Sequence, residues 1–177
     1  EGRPVHLMTG PAEHPEEDEA MVRAFMEDED ARRIVCGGTS AAIVSRVLKR
    51  SLDISYDHED PEIPPISFID GIDLVTEGVL TLNRTLSLLK RYVKNETVSE
   101  EFFEELDREN GGSMVAKMLI EECTELHLYV GQLIRPIRIR SCRLIWESDR
   151  IWWSRSGVRW KRWERRLLLH IFDGSGD

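Results

Sequence analysis

Short apolar stretches alternate with longer segments in which apolar residues recur every three or four positions. This alternation predicts an α/β layer. RPVHLM (3–8) reads as a first strand closed by Thr9-Gly10-Pro11, and Pro11 and Pro15 bracket the loop that follows. Ala20, Met21, Ala24 and Phe25 mark a first helix, whose acidic start at Glu16–Glu19 suits a helix N-terminus. RIVC (33–36) is a second strand. GGTSAAIVSRVLKRSL follows as a second helix, with Ile43, Val44, Val47 and Leu48 on one face and Lys49 and Arg50 in its last turn. LDISYD alternates and predicts a third strand, so that residues 5–58 form a parallel β-α-β-α-β arrangement. SFIDGIDLVTEGVLTLNRTLSLLKRYV reads as a short strand, a turn at Asp70-Gly71, and a helix. Two further apolar-periodic runs flank Gly111-Gly112 and extend to Ile134. The expected fold class is a small, mostly parallel sheet with flanking helices, an open Rossmann-like layer.

Charge divides the chain of 177 residues. Residues 1–130 hold 13 basic and 28 acidic side chains, a net of −15, while residues 131–177 hold 11 and 5, a net of +6. All five tryptophans lie between Trp146 and Trp163. We therefore divide the chain into an α/β domain over 1–136 and a basic, Trp/Arg-rich tail over 137–177. Three readings of the tail stand side by side: a basic aromatic surface for nucleic acid or anionic lipid, a helix with Trp and Leu turned inward, and a stretch translated out of frame. A disordered tail, or one packed against a second copy in a homodimer, follows from the excess of tryptophan. The overall net charge of −9 argues against a nucleic-acid partner. No apolar run reaches the roughly 20 residues a bilayer requires. Cys36, Cys123 and Cys142 have neither zinc nor disulfide spacing. A reduced, cytoplasmic protein is expected, and the absence of an initiating Met suits a piece of a longer chain.

VCGGTSAAIV (35–44) is the stretch that carries candidate chemistry. Glycines between a strand and a helix let backbone approach an anion, and the adjoining hydroxyls can cap the helix or touch the same anion. Gly37, Gly38, Thr39 and Ser40 are thus candidates for binding phosphate, free or on a nucleotide. The alternative is a tight turn capped by Thr39 or Ser40 with nothing bound. Neither GxxxxGK[ST] nor GxGxxG is present. With strands one and two parallel neighbours, Thr9 and Gly10 would face this loop across one crevice. Glu77 would contact a ligand hydroxyl there.

Asp70, Asp73 and Glu77 form a second candidate constellation. Three oxygen ligands can hold Mg²⁺ or Mn²⁺, and Asp73 and Glu77 share a face if that segment is helical. Asp70 and Asp73 are accordingly candidate metal ligands; the competing reading is a turn aspartate followed by solvated helix-start acids. Cys36 has no CxxC partner. The five histidines form neither HExxH nor a close sequence pair, and no GxSxG elbow occurs, so no catalytic residue is assigned.

VHLMTGPAEHPEEDE (5–19), RIVCGGTSAAIVSRVL (33–48) and PPISFIDGIDLVTEGVLTLNR (64–84), with YVGQLIRP (129–136), resemble blocks of one bacterial segment. That segment follows the catalytic core in some sporulation stage II protein E type phosphatases, which are metal-dependent serine/threonine phosphatases. The resemblance implies a regulatory domain that works beside a phosphatase catalytic domain, in the same chain or in a partner. It also implies two divalent metals in that core, held by glycine-aspartate loops that this chain lacks. The chain departs from the family pattern at Arg135-Pro136, where the Arg/Trp tail begins. Two functions follow: a non-catalytic domain that senses a small anion or nucleotide, or a metal-dependent phosphoprotein phosphatase activity in the chain or its longer parent.

Overall fold

The computed structural model describes residues 2–12, 14–54, 66–94, 99–131 and 166–172. β1 (Arg3–Thr9) leads through a 3₁₀ turn (Pro15–Glu17) into α1 (Asp18–Met26), and β2 (Arg32–Cys36) leads into α2 (Gly38–Leu48). Two short strands follow, β3 (Asp53–Ile54) and β4 (Ser67–Phe68), then β5 (Leu74–Thr76). Three helices, α3 (Val79–Lys94), α4 (Glu100–Leu106) and α5 (Gly111–Glu121), precede β6 (Cys123–Gly131), and β7 is Arg166–Phe172.

The strands form one sheet in the order β3-β4-β5-β2-β1-β6-β7. β5, β2, β1, β6 and β7 run parallel, and β3 and β4 add to one edge as antiparallel strands. The fold is therefore an open α/β layer of the Rossmann-like kind, with a mixed sheet. Its parallel centre is buried on both faces, mostly by apolar side chains, as such sheets require. Alternation along the strands divides the core. Met8, Val35 and Val75 pack with Met21, Val22 and Phe25 of α1 and with Ile43 and Val44 of α2. Val5, Leu7, Ile34, Cys36 and Leu74 pack on the opposite face, with Leu82 of α3 and Val115 and Leu119 of α5. Phe102 and Leu106 of α4 extend this layer with Leu88, Ala116 and Ile120.

Three expectations change. The third parallel strand is β5, not LDISYD: β3 keeps only Asp53 and Ile54 and pairs antiparallel with β4. Residues 55–65 lie outside the described residues. The turn at Asp70-Gly71 is present, with Gly71 at φ +81°, but a strand intervenes between it and the helix. Cys123–Gly131, expected to continue a helical run, is the longest strand of the sheet. Of the tail, Arg166–Phe172 forms β7 in parallel register with β6. Its tryptophans and Arg135-Pro136 lie outside the described residues.

Candidate functional site

β2 and β5 end side by side at the carboxyl edge of the sheet, with Cys36 in register with Thr76. Both then enter a helix through glycine. Gly37 has φ +112° and ψ +137°, a backbone conformation that a Cβ opposes, and its N–H donates to the Thr76 carbonyl at 2.8 Å. Gly78 occupies the corresponding place before α3, and a Cβ built on it would lie 3.5 Å from the Gly37 Cα. α5 begins at the same edge. A Cβ on Gly111 would stand 3.0 Å from Cγ2 of Thr76. Three helix starts thus converge where β2 and β5 end.

Their backbone donors define what this edge can do. The first bond of α2 runs from the Ala41 N–H to the Gly37 carbonyl, 2.9 Å, so the N–H groups of Gly38, Thr39 and Ser40 have no partner within the helix. In α3 the first bond runs from Leu82 N–H to the Gly78 carbonyl, 3.1 Å. α5 satisfies one of its donors itself: the Asn110 Oδ1 accepts from Ser113 N–H at 2.9 Å. Parallel dipoles give the paired α2 and α3 starts a positive potential. Gly38 is exposed, and a Cβ there would meet nothing within 4 Å.

The candidate residues are placed as follows. Gly37 is the N-cap of α2 and makes no side-chain cap bond, so neither Thr39 nor Ser40 takes the capping role open to them in the sequence. Thr39 is exposed and Ser40 is buried. Thr9 is in register with Cys36, so the ends of β1 and β2 are adjacent, and Gly10 turns away from β1 with φ +78°. Glu77 is exposed between Thr76 and Gly78, at the same edge as the Gly37–Gly38 turn. Cys36 is buried, and the Thr76 hydroxyl lies 3.4 Å from its sulfur.

Strand order reverses between β1 and β6, and open α/β sheets usually take ligands at that point. Here backbone fills it. A Cβ on Gly131, at the end of β6, would overlap the Pro11 carbonyl and the Ala12 nitrogen. The β1–α1 loop is held in this position by Asp18, which is buried and accepts from Ala12 N–H at 3.2 Å and from Arg46 Nη2 at 2.9 Å. The open part of the carboxyl edge lies one strand away, at Gly37–Gly38 and Gly78.

The acidic trio is divided. Asp73 precedes β5 and Glu77 follows it, so a strand separates them and the shared helical face does not form. Both oxygens of Asp73 are engaged: Oδ1 accepts from Arg32 Nη1 and Oδ2 from the Arg33 N–H, each at 2.8 Å. Arg32 also donates to Glu122 Oε2 at 2.8 Å, and these two carboxylates hold its guanidinium protonated to an unusually high pH. Asp70 is exposed in the turn, where its carbonyl accepts from Arg50 Nη1 at 2.7 Å. Among the described residues, no three His, Cys, Asp or Glu side chains are grouped to hold a metal ion.

One arrangement was not legible in the sequence. His127, His6 and Arg33 stand in register on β6, β1 and β2. The parity of the alternating strand residues is the signal that places them in one row, but only once the register is known. Comparison with family models, with curated proteins and with solved structures gave no match. Among the described residues, no helix is long and apolar enough to cross a membrane.

Proposed function

We propose that this chain contributes a non-catalytic, ligand-sensing domain that binds a small anion or nucleotide between the Gly37–Ser40 turn and Gly78. The observation that carries this reading is the side-by-side entry of α2 and α3 through Gly37 and Gly78, which turns two sets of first-turn N–H groups to one edge. Thr39 lies within the first turn and supplies a hydroxyl, and Thr9 and Gly10 adjoin the turn on the β1 side. The one ionisable side chain among these residues, Glu77, is an acid. It favours a ligand that joins an anionic group to hydroxyls, as a nucleotide does, over a bare phosphate. The resemblance to the segment beside sporulation stage II protein E type phosphatase cores supplies the partner: a bacterial protein serine/threonine phosphatase domain in the cytoplasm, in the same or another chain. The alternative, a metal-dependent phosphatase site at Asp70 and Asp73, draws less support because both Asp73 oxygens already have donors.

Calorimetric titration of nucleotides and of phosphate into the folded chain tests the reading. Wild type should bind, and Gly38→Asp, which places a carboxylate in open space at the helix start, should not. Equal binding by folded Gly38→Asp, or none by wild type, would leave the turn as a helix entry alone.

A further inference from the structure

His6 lies in the middle of the central strand and is 3% exposed. Its Nδ1 is 3.0 Å from the Phe25 carbonyl. A carbonyl only accepts, so Nδ1 carries the proton and Nε2 presents a lone pair. That Nε2 is buried and has no hydrogen-bond partner among the described residues. The His127 ring, in register on β6, lies with its centroid 4.6 Å from that of His6, and Tyr129 follows at 5.2 Å. On the other side Arg33, in register on β2, reaches the same end of α1, donating from Nη2 to the Asp28 carbonyl at 2.7 Å and to the Met26 carbonyl at 3.3 Å. His6 therefore has a second imidazole on one side and a guanidinium on the other, below the C-terminal carbonyls of α1.

We propose that this row makes the β1–β6 seam an acid-sensitive latch, which protonation of His6 loosens. The groups around His6 decide the sign. The Phe25 carbonyl and the Asp28 carboxylate favour an imidazolium, as the C-terminus of a helix does. Burial, His127 and Arg33 oppose it, and burial is the largest influence, so the His6 imidazole titrates below its ordinary 6.5. Among the described residues, the other charged groups near the row are Glu125, 2.7 Å from His127 Nε2, and Glu27, whose charge acts on Tyr129. Positive charge on the His127 ring would repel a proton on His6. Protonation of His6 also creates an N–H at Nε2 that has no acceptor among the described residues.

The unfolded chain therefore takes up this proton at a higher pH than the folded one. The stabilisation is complete above about pH 6.5 and is lost as pH falls from there towards the folded value. Loss falls on the seam, because among the described strands β6 and β7 join the rest of the sheet only through β1. The latch is independent of what the carboxyl edge binds.

Hydrogen exchange on the full chain, corrected for intrinsic rates, tests this between pH 7.5 and 5.5. Protection of the β6 amides should fall relative to that of β2, by about tenfold for each pH unit spanned between the folded and unfolded titrations. His6→Asn, which keeps a donor for the Phe25 carbonyl and cannot titrate, should abolish that pH dependence. An NMR titration of wild type provides a second readout should the variant not fold: His6 should titrate below 6.5, and in His127→Leu its midpoint should rise. Parallel loss of protection in β6 and β2, an unchanged profile in folded His6→Asn, or a His6 midpoint at or above 6.5 would each overturn the latch.

Discussion

The Cα of Gly37 and the Cα of Gly78 face each other across the ends of β2 and β5, close enough that a methyl group on Gly78 would rest 3.5 Å from its neighbour. That distance is ordinary van der Waals contact, and a Cβ on Gly37 would likewise stand 3.8 Å from the Gly78 Cα, so space alone does not demand glycine at either position. What constrains Gly37 is its φ of +112°, whereas Gly38 has open space and no such angle. Gly37→Ala should therefore cost about 1–3 kcal/mol. Gly38→Ala should be neutral or stabilise by about 0.4–1 kcal/mol through the unfolded chain. Urea denaturation of the two variants checks the contrast; equal effects would contradict it.

Among the described glycines, Gly131 has the tightest surroundings. Its Cβ would overlap backbone of Pro11 and Ala12, which has no flexible side-chain end to move aside. Gly131→Ala should cost more than about 3 kcal/mol or prevent folding, in the range of severe overpacking. Thermal unfolding monitored by circular dichroism is the check, and a melting temperature near that of wild type would refute the close approach.

Asn110 caps α5 from a buried position, accepting the Ser113 N–H at 2.9 Å. Asn110→Ala should lose about 1 kcal/mol, and Asn110→Asp should retain most of the stability, since either side chain presents an acceptor oxygen. Denaturation midpoints of the pair distinguish a lost cap from a lost volume, because only Ala removes the acceptor.

Asp73 should prove structural. Both carboxylate oxygens serve Arg32 and Arg33, at a partly exposed site. Asp73→Ala should destabilise by about 1 kcal/mol, and millimolar Mn²⁺ should leave the melting temperature of wild type unchanged. A rise on adding Mn²⁺ that Asp73→Ala abolishes would restore the metal reading.

The sequence carries the middle of the sheet, β1 and β2, more plainly than the strands on either side. VHLM and RIVC are apolar runs bounded by Gly-Pro and Gly-Gly, and their order around an amphipathic helix suffices to place β1 beside β2 in parallel. β5 was obscured because three residues are too few to show a period, and Asp73 and Glu77 on either side imitate the acids of a helix start. A signal was present: Val75-Thr76 before Glu77-Gly78 repeats the order of Val35-Cys36 before Gly37. β6 was absorbed into the preceding helical run because it follows α5 after a single residue. Yet Leu126, Leu128 and Val130 alternate with Glu125, His127 and Tyr129, a period of two. The candidate turn at Gly37–Ser40 was visible as a local pattern. Its facing glycine and the separation of Asp73 from Glu77 arise from pairing between distant segments, which local propensity does not encode.

The register of His6 with His127 also sets an order of events in biosynthesis. β1 leaves the ribosome before β6, and one of its two edges waits more than a hundred residues for that partner. At about 5–20 residues per second that interval is roughly 5–25 s, during which Val5, Leu7 and Met8 offer an unpaired apolar edge. A nascent chain in that state is a target for chaperones and for mispairing with a neighbouring copy. Slowing translation between α2 and β6 should therefore lower the yield of folded protein more than the same delay placed after β6.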